Sequence, residues 1–377
     1  MISIESMVLN SYANYPDWQR VQKVVIILLQ NIGDVILATP VFATLKGRFP
    51  DMRVDAVVNK GTEDVLLDNP NITHIHVFDH AGRNTSLLGK LNHRRGIVQA
   101  VREVGYDMAM TLTVSTKGRM LCLLSGAGIR VGIGRREKYG FGLLDPLTHW
   151  VRHPGGKRHY LERHLDCLRH LGLFPTEAQR QSVLFEGDAA RARMEAVLAE
   201  AGLETIPFVV IHPTSRWMFK CWPADAMAQL MNRMHAELGV RMILTAAPDP
   251  RENNYVVQLK TCLKAPVLDL AGQLTLRELI ALIRRAHLFV GVDSAPMHMA
   301  VAVKTPSVVL FGPSSEWDWG PRGDLHRLVV SDRFPCRPCQ IDGCGGSKIS
   351  ECLLDISVDT VFEQVQKQLA CCIVPAT

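Results

Sequence analysis

The chain has 377 residues, 47% of them hydrophobic and 21% charged, with a formal net charge of +5. A prior of about 100–200 residues per domain gives two domains, and no apolar run approaches the roughly 18 residues that span a bilayer, which argues against an integral membrane protein. The opening Met1-Ile2-Ser3-Ile4-Glu5-Ser6-Met7 has no basic n-region and no sustained apolar stretch, so a secretory signal is not expected and a cytoplasmic location is.

After a polar leader over 1–20, the apolar run Val24-Val25-Ile26-Ile27-Leu28-Leu29 predicts a buried parallel strand, and Gly33-Asp34 a turn that opens a helix reaching Phe49. A strand at 54–58, a helix near 62–68 and a strand at 75–78 complete a βαβαβ series. A helix around 93–104, a strand at 108–112 and a helix around 117–124 follow, then Gly-rich loops over 126–142 and at Gly155-Gly156. A charged helix at 188–201 leads to a second alternating series: strand 208–212, helix 224–238, strand 241–246, helix 252–263, strand 267–270, helix 276–285, strand 288–292, a helix from Pro296 and strand 307–311. Apolar Val358, Val361, Val365 and Leu369 predict a closing amphipathic helix over 353–370. Connections of crossover length without an internal repeat predict an α/β protein of two facing Rossmann-like domains. The expected boundaries are 21–180 for the first domain, 181–352 for the second and 353–377 for a closing helix and tail, with a cleft between the domains.

Ten cysteines without an export signal are expected to be thiols. Cys336, Cys339, Cys344 and Cys352 have a spacing that zinc could use, but the second pair is wide for a ribbon, and a surface loop turned by its prolines and glycines is the favoured reading. Residues 117–164 carry ten Lys/Arg against three acids, a local charge of +7. A local anionic partner fits, a solvated basic face is the plainer alternative, and the lack of interleaved aromatics disfavours single-stranded nucleic acid.

No G-x-G-x-x-G follows the first strand, and neither G-x-x-x-x-G-K-[ST] nor G-x-S-x-G occurs, so a dehydrogenase, a P-loop kinase and a serine hydrolase lose support. Asp34, at or near a helix N-cap, is either a cap or a carboxylate that accepts a proton from a substrate hydroxyl. The loop His212 to Pro223 is dense in hydroxyls and cations: Lys220 suits a leaving diphosphate as a point charge, Thr214 and Ser215 suit its oxygens, and Trp217 and Trp222 are expected to pack as walls. The Asp293-Ser294-Ala295-Pro296 turn offers a second helix N-terminus with free backbone N–H groups. Capping alone accounts for Ser294 and Pro296, but not for Asp293 or His298.

These residues resemble the bacterial ADP-heptose:lipopolysaccharide heptosyltransferases, two-domain B-type glycosyltransferases. The resemblance covers about 24–320 and rests on Gly33-Asp34-Val35 with Thr39-Pro40, on Lys220 before Trp222-Pro223, and on Gly291-Val292-Asp293-Ser294-Ala295-Pro296-Met297-His298 with Leu310-Phe311-Gly312. Phe219-Lys220-Cys221-Trp222 is most similar to the third, branching, group of inner-core members. The resemblance implies ADP-heptose as co-substrate, no required cofactor, no essential metal and inversion in one displacement. It further implies Asp34 as general base, Lys220 on the leaving diphosphate, and donor contacts from Gly33, Thr214, Ser215, Asp293, Ser294, Ala295 and His298. An anionic lipopolysaccharide core acceptor would account for the basic segment, with Lys117, Arg119, Arg135 and Arg136 as candidate contacts, at the cytoplasmic face of the inner membrane and without nucleic acid. Open alternatives are a first or second inner-core heptosyltransferase, a related transferase with another nucleotide sugar, and a non-catalytic nucleotide-sugar-binding component of lipopolysaccharide assembly.

Overall fold

The computed structural model describes residues 15–79, 87–134, 145–152 and 156–373, with the backbone alone at 87–94 and 372–373. It divides into two compact units between Ser182 and Val183.

In the first unit the described elements run β1 (Lys23–Leu28), α1 (Ile32–Arg48), β2 (Arg53–Asn59), β3 (His74–Phe78), α2 (Leu87–Val104), β4 (Met108–Thr111), α3 (Thr116–Leu124), β5 (Ile129–Ile133), β6 (His149–Val151) and α4 (Tyr160–His170). Every strand pairing is parallel, in the order β3-β2-β1-β4-β5-β6. Val25, Ile27, Val57 and Ala109 pack on one face against Ile97, Val101, Leu121 and Cys122 of the covering helices. A doubly covered strand leaves no face for water, which is why β1 reads as an apolar run after Lys23 and the interior of β2 is apolar apart from the buried Asp55.

The second unit repeats the plan with α5 (Asp188–Glu200), β7 (Phe208–His212), α6 (Ala224–Leu238), β8 (Arg241–Leu244), α7 (Pro250–Cys262), β9 (Leu268–Asp269), α8 (Leu276–Arg285), β10 (Leu288–Val292), α9 (Ala295–Ala302), β11 (Ser307–Leu310), α10 (Glu316–Trp319), β12 (His326–Val329), α11 (Glu351–Leu354) and α12 (Val358–Ile373). Its sheet, again all parallel, runs β12-β11-β10-β7-β8-β9. Renumbered within the unit this is the same 3-2-1-4-5-6 order, the doubly wound dinucleotide-fold topology. Strand order reverses between β1 and β4 in one unit and between β7 and β10 in the other, and ligands of such sheets bind at the carboxyl ends of those strands.

Four expectations need correction. The stretch given to Gly-rich loops contains β5, and β6, β12 and α4 were not anticipated. The helix near 62–68 is a single 3-10 turn, Glu63–Val65. The closing helix is two, because Ser357 Oγ accepts the Thr360 N–H at 3.1 Å and so starts α12 afresh after α11. Helix α1 begins at Ile32, so Gly33 and Asp34 lie inside its first turn.

Pro40 inside α1 removes the N–H that Ile36 O would accept, and Thr39 Oγ1 supplies the missing donor at 2.8 Å. This gives the Thr39-Pro40 pair a local structural reason.

Toward the amino ends of β2 and β3, away from the switch point, lies a buried polar group. Asp55, fully buried, accepts Arg53 Nε at 2.9 Å and the Tyr106 hydroxyl, and Tyr106 Oη lies 2.9 Å from His76 Nε2. Burial, and then the hydrogen bond to Asp55, push the Tyr106 pKa up, while burial lowers that of His76. Tyr106→Phe strips one partner from each of Asp55 and His76, and an unmade buried hydrogen bond costs about 1–3 kcal/mol. The expected result is a lower urea midpoint with an unchanged denaturant slope; an unchanged midpoint would mean that the network contributes nothing to stability.

Candidate active site

The chemistry-bearing residues fall at the two switch points. After β1 the chain turns at Gln30-Asn31 into α1, and Asp34 occupies the third helical position, where its Oδ2 accepts the Asn31 N–H at 3.2 Å. It is 9% exposed, at the positive end of the helix dipole, which favours the anion. Gln30 Oε1, in the same turn, is buried without a hydrogen-bond partner among the described residues.

At the end of the neighbouring β4 and just past it lie three hydroxyls that sequence reasoning missed. Thr111 Oγ1 lies 3.0 Å from Thr113 Oγ1, which lies 3.0 Å from Ser115 Oγ, and Ser115 Oγ caps α3 by accepting the Gly118 N–H at 3.0 Å. A Cβ on Gly118 would stand 2.4 Å from Thr111 Oγ1 and 2.6 Å from Thr113 Oγ1, so only glycine lets the helix approach this row. The alternation Thr111-Leu112-Thr113-Val114-Ser115 was the available signal.

Of the expected acceptor contacts, Lys117 is exposed on α3 and Arg119 is buried at 3% exposure, with Nη2 3.4 Å from Thr116 Oγ1. Arg135 and Arg136 lie outside the described residues. Among its described residues the basic segment is not one solvated face. Arg130 donates to Pro146 O and Ala127 O, Arg158 pairs with Asp166, and the Arg163 guanidinium sits 4.7 Å from the Tyr160 ring centre. Part of the local charge is therefore tied up in structure.

In the second unit, the loop after β7 ends in a 3-10 turn, Met218–Lys220, and Lys220 Nζ reaches Asp293 Oδ2, just past β10, at 2.7 Å. Both side chains are largely buried, so the pair is shielded from solvent screening. His298, on α9, is buried beside them, and burial lowers its pKa to about 4, with Lys220 acting the same way and Asp293 opposing. Its ring is neutral at pH 7. Ser294, the N-cap of α9, makes no side-chain capping bond, and its Oγ is buried without a partner among the described residues. An anion at this helix terminus meets free backbone N–H groups, a spare hydroxyl and an ammonium group.

The remaining loop residues divide by role. Thr214 Oγ1 donates to Glu252 Oε2 at 2.7 Å, and the same carboxylate oxygen accepts the Ala247 N–H at 3.1 Å, so the Thr214 hydroxyl hydrogen is already engaged. Among the described residues Ser215 Oγ only accepts, from Trp217 N–H at 3.4 Å. Trp222 is core, its Nε1 donating to Ile356 O at 3.1 Å, whereas Trp217 is 47% exposed and so is not wall packing, contrary to expectation. Cys221 is held protonated by burial, its pKa pushed up to about 12.

Among the described residues no three His, Cys, Asp or Glu side chains converge as metal ligands, so Cys336, Cys339, Cys344 and Cys352 do not form a zinc cage here. Cys336 is exposed and Cys352 buried, with turns between them at Gly343, Gly345 and Gly346. No helix among the described residues is long and apolar enough to cross a membrane.

Burial holds the pKa values of His212, His298 and His326 each at about 4 against an ordinary 6.5. Between those values the unfolded chain binds more protons than the folded one, so their contribution is full above about 6.5 and is lost as the pH falls toward 4. Thermal midpoints should therefore fall on acidification across this window, with the two most deeply buried rings, His212 and His298, each contributing at most about 3 kcal/mol. A His298→Gln variant should show a shallower fall; an identical slope would contradict the assignment.

The glycosyltransferase family 9 (heptosyltransferase) pattern matches residues 94–349. The chain is 32% identical over 290 residues to lipopolysaccharide heptosyltransferase 3 of Escherichia coli, covering 77% of this chain and 83% of that protein. A glycosyl transferase family 9 structure from Veillonella parvula matches with a TM-score of 0.78 at 22% identity, over 93% of this chain and 97% of that one. The structure of E. coli heptosyltransferase WaaC with ADP-2-deoxy-2-fluoro heptose matches with a TM-score of 0.66 at 18% identity, over 92% and 99%. Twin units of this topology with their chemistry at the switch points have the B-type glycosyltransferase fold. The chain belongs to glycosyltransferase family 9, and it is a glycosyltransferase enzyme.

Proposed function

We propose that the chain transfers L-glycero-D-manno-heptose from ADP-heptose to a heptose of the lipopolysaccharide inner core, with inversion. The observation that carries the donor half is the Lys220–Asp293 pair at 2.7 Å beside the unpartnered Ser294 hydroxyl and the neutral His298, at a helix N-terminus on the switch point of the second unit. Lys220, Ser294, the backbone N–H groups of Ser294 and Ala295, and Ser215 would receive the diphosphate. His298 would face the sugar without adding charge. Thr214, its proton committed to Glu252, would contribute its backbone N–H.

In the transfer step the acceptor oxygen attacks the anomeric carbon, and the bond from that carbon to the diphosphate oxygen breaks. The electron pair leaves on the diphosphate, and the acceptor proton passes to Asp34. Gly33 would allow the sugar close to the first turn of α1. A helix N-terminus favours the carboxylate anion and so weakens it as a base, and the contribution of Asp34 would rest on placement more than on basicity. Lys117 and Arg119, together with Arg135 and Arg136, are the proposed contacts to the anionic acceptor, reached from the cytoplasmic face of the inner membrane. No cofactor is required by this scheme.

The test is the anomeric configuration of the product, read by NMR one-bond C1–H1 coupling. Inversion relative to the donor is expected, and retention would overturn the one-step scheme. The 32% identity to a third heptosyltransferase favours a branching heptose as the product.

A further inference from the structure

The segment between β12 and α11, with its cysteines, has no part in the scheme above, yet it is tied to the loop that carries Lys220 and to the turn between β11 and α10. Arg337, almost fully buried, donates Nε to Gly312 O at 2.8 Å and Nη1 to Ser331 O at 2.9 Å, and its Nη2 lies 3.4 Å from Glu316. Gln340 N donates to Pro313 O at 2.8 Å. These bonds fix the turn between β11 and α10, and α10 places the Trp319 ring 6.4 Å from that of His298. At its far end, the buried Ser350 donates Oγ to Phe219 O at 2.6 Å, across 131 residues of sequence.

Phe219 O is the carbonyl of the peptide bond that continues into Lys220. Among the described residues the other backbone bonds of the 3-10 turn Met218–Lys220 are short-range, Lys220 N–H to Trp217 O at 2.8 Å and Cys221 N–H to Met218 O at 3.0 Å. A three-residue turn has few bonds of its own to fix where its last side chain points.

We propose that this segment is a strap whose Ser350 is a positioning residue for Lys220. It sets the peptide from which the ammonium reaches Asp293 and, on the reading above, the leaving diphosphate. The strap makes no contact with substrate in this scheme. Its effect passes through Lys220, which distinguishes it from a general contributor to stability.

The test is a double-mutant cycle with Ser350→Ala and Lys220→Ala in the full chain, together with the rate at which an amine-reactive ester labels Lys220, read by mass spectrometry. Ser350→Ala should speed labelling of Lys220 several-fold relative to other lysines. It should also lower kcat/KM for ADP-heptose about fivefold, the scale of one net hydrogen bond, and leave the KM for acceptor unchanged. In the Lys220→Ala background it should have no further effect, and Ser350→Thr should restore most of the loss. Unchanged labelling would overturn the strap, as would an equal loss in the Lys220→Ala background. Altered labelling with a fully active Lys220→Ala protein would instead keep the strap and overturn the role of Lys220.

Discussion

Asp34→Asn is expected to lower kcat about a thousandfold while leaving ADP affinity within twofold of the parent, because general-base catalysis is worth roughly 10²–10⁴ and the donor site lies on other residues. The substitution is nearly isosteric, and its amide oxygen still accepts the Asn31 N–H that now goes to Asp34 Oδ2 at 3.2 Å, so the first turn of α1 keeps its cap. Asp34→Ala removes the cap as well and should add a stability loss of about 1 kcal/mol to the same catalytic defect. Calorimetric ADP titration and steady-state rates on both variants separate the two effects. An Asn variant with near-parental kcat would leave Asp34 as a helix cap alone.

Lys220→Ala should act on both stability and rate. Asp293 then stands buried without its counter-charge, and breaking one side of a buried pair typically costs 3–5 kcal/mol, so a clear fall in the thermal midpoint is expected. Loss of a preorganised charge at the leaving group should lower kcat/KM for the donor by about 10²–10³. Adding Asp293→Asn removes the stranded carboxylate, so the double variant should regain stability without regaining activity. If activity returned with stability, Lys220 would be a structural partner of Asp293 and nothing more.

How much of this was legible in the sequence depends on whether the determining contacts are local. Strands β7 and β10 and helix α6 fall where they were expected, because their signals lie within one window: unbroken apolar runs for doubly covered strands, and a helix bounded by Pro223 and by Gly239 in the left-handed conformation. Strands β5, β6 and β12 were missed. They are short and interrupted by Arg130, His149 and Arg327, which breaks the apolar signal, and β6 and β12 lie at sheet edges, where such residues are tolerated.

At the site, the turns carrying Asp34 and Asp293 were visible as strand-to-helix junctions. The approach of Lys220 to Asp293 was not, since it depends on β7 and β10 being neighbours, which strand order decides. The same holds for Glu252 on Thr214, where the carboxylate comes from the next helix but one along the chain. The burial of Arg119 was not legible from charge counts, because a helix of nine residues has an inner face whatever its composition.

ADP release from ADP-L-glycero-D-manno-heptose by the purified protein, with and without a truncated core acceptor already carrying two heptoses, tests the central claim most directly. Release that depends on that acceptor, and that ADP-glucose or UDP-sugars do not support, is the predicted result. Equal release without acceptor, or turnover only with a different nucleotide sugar, would contradict it.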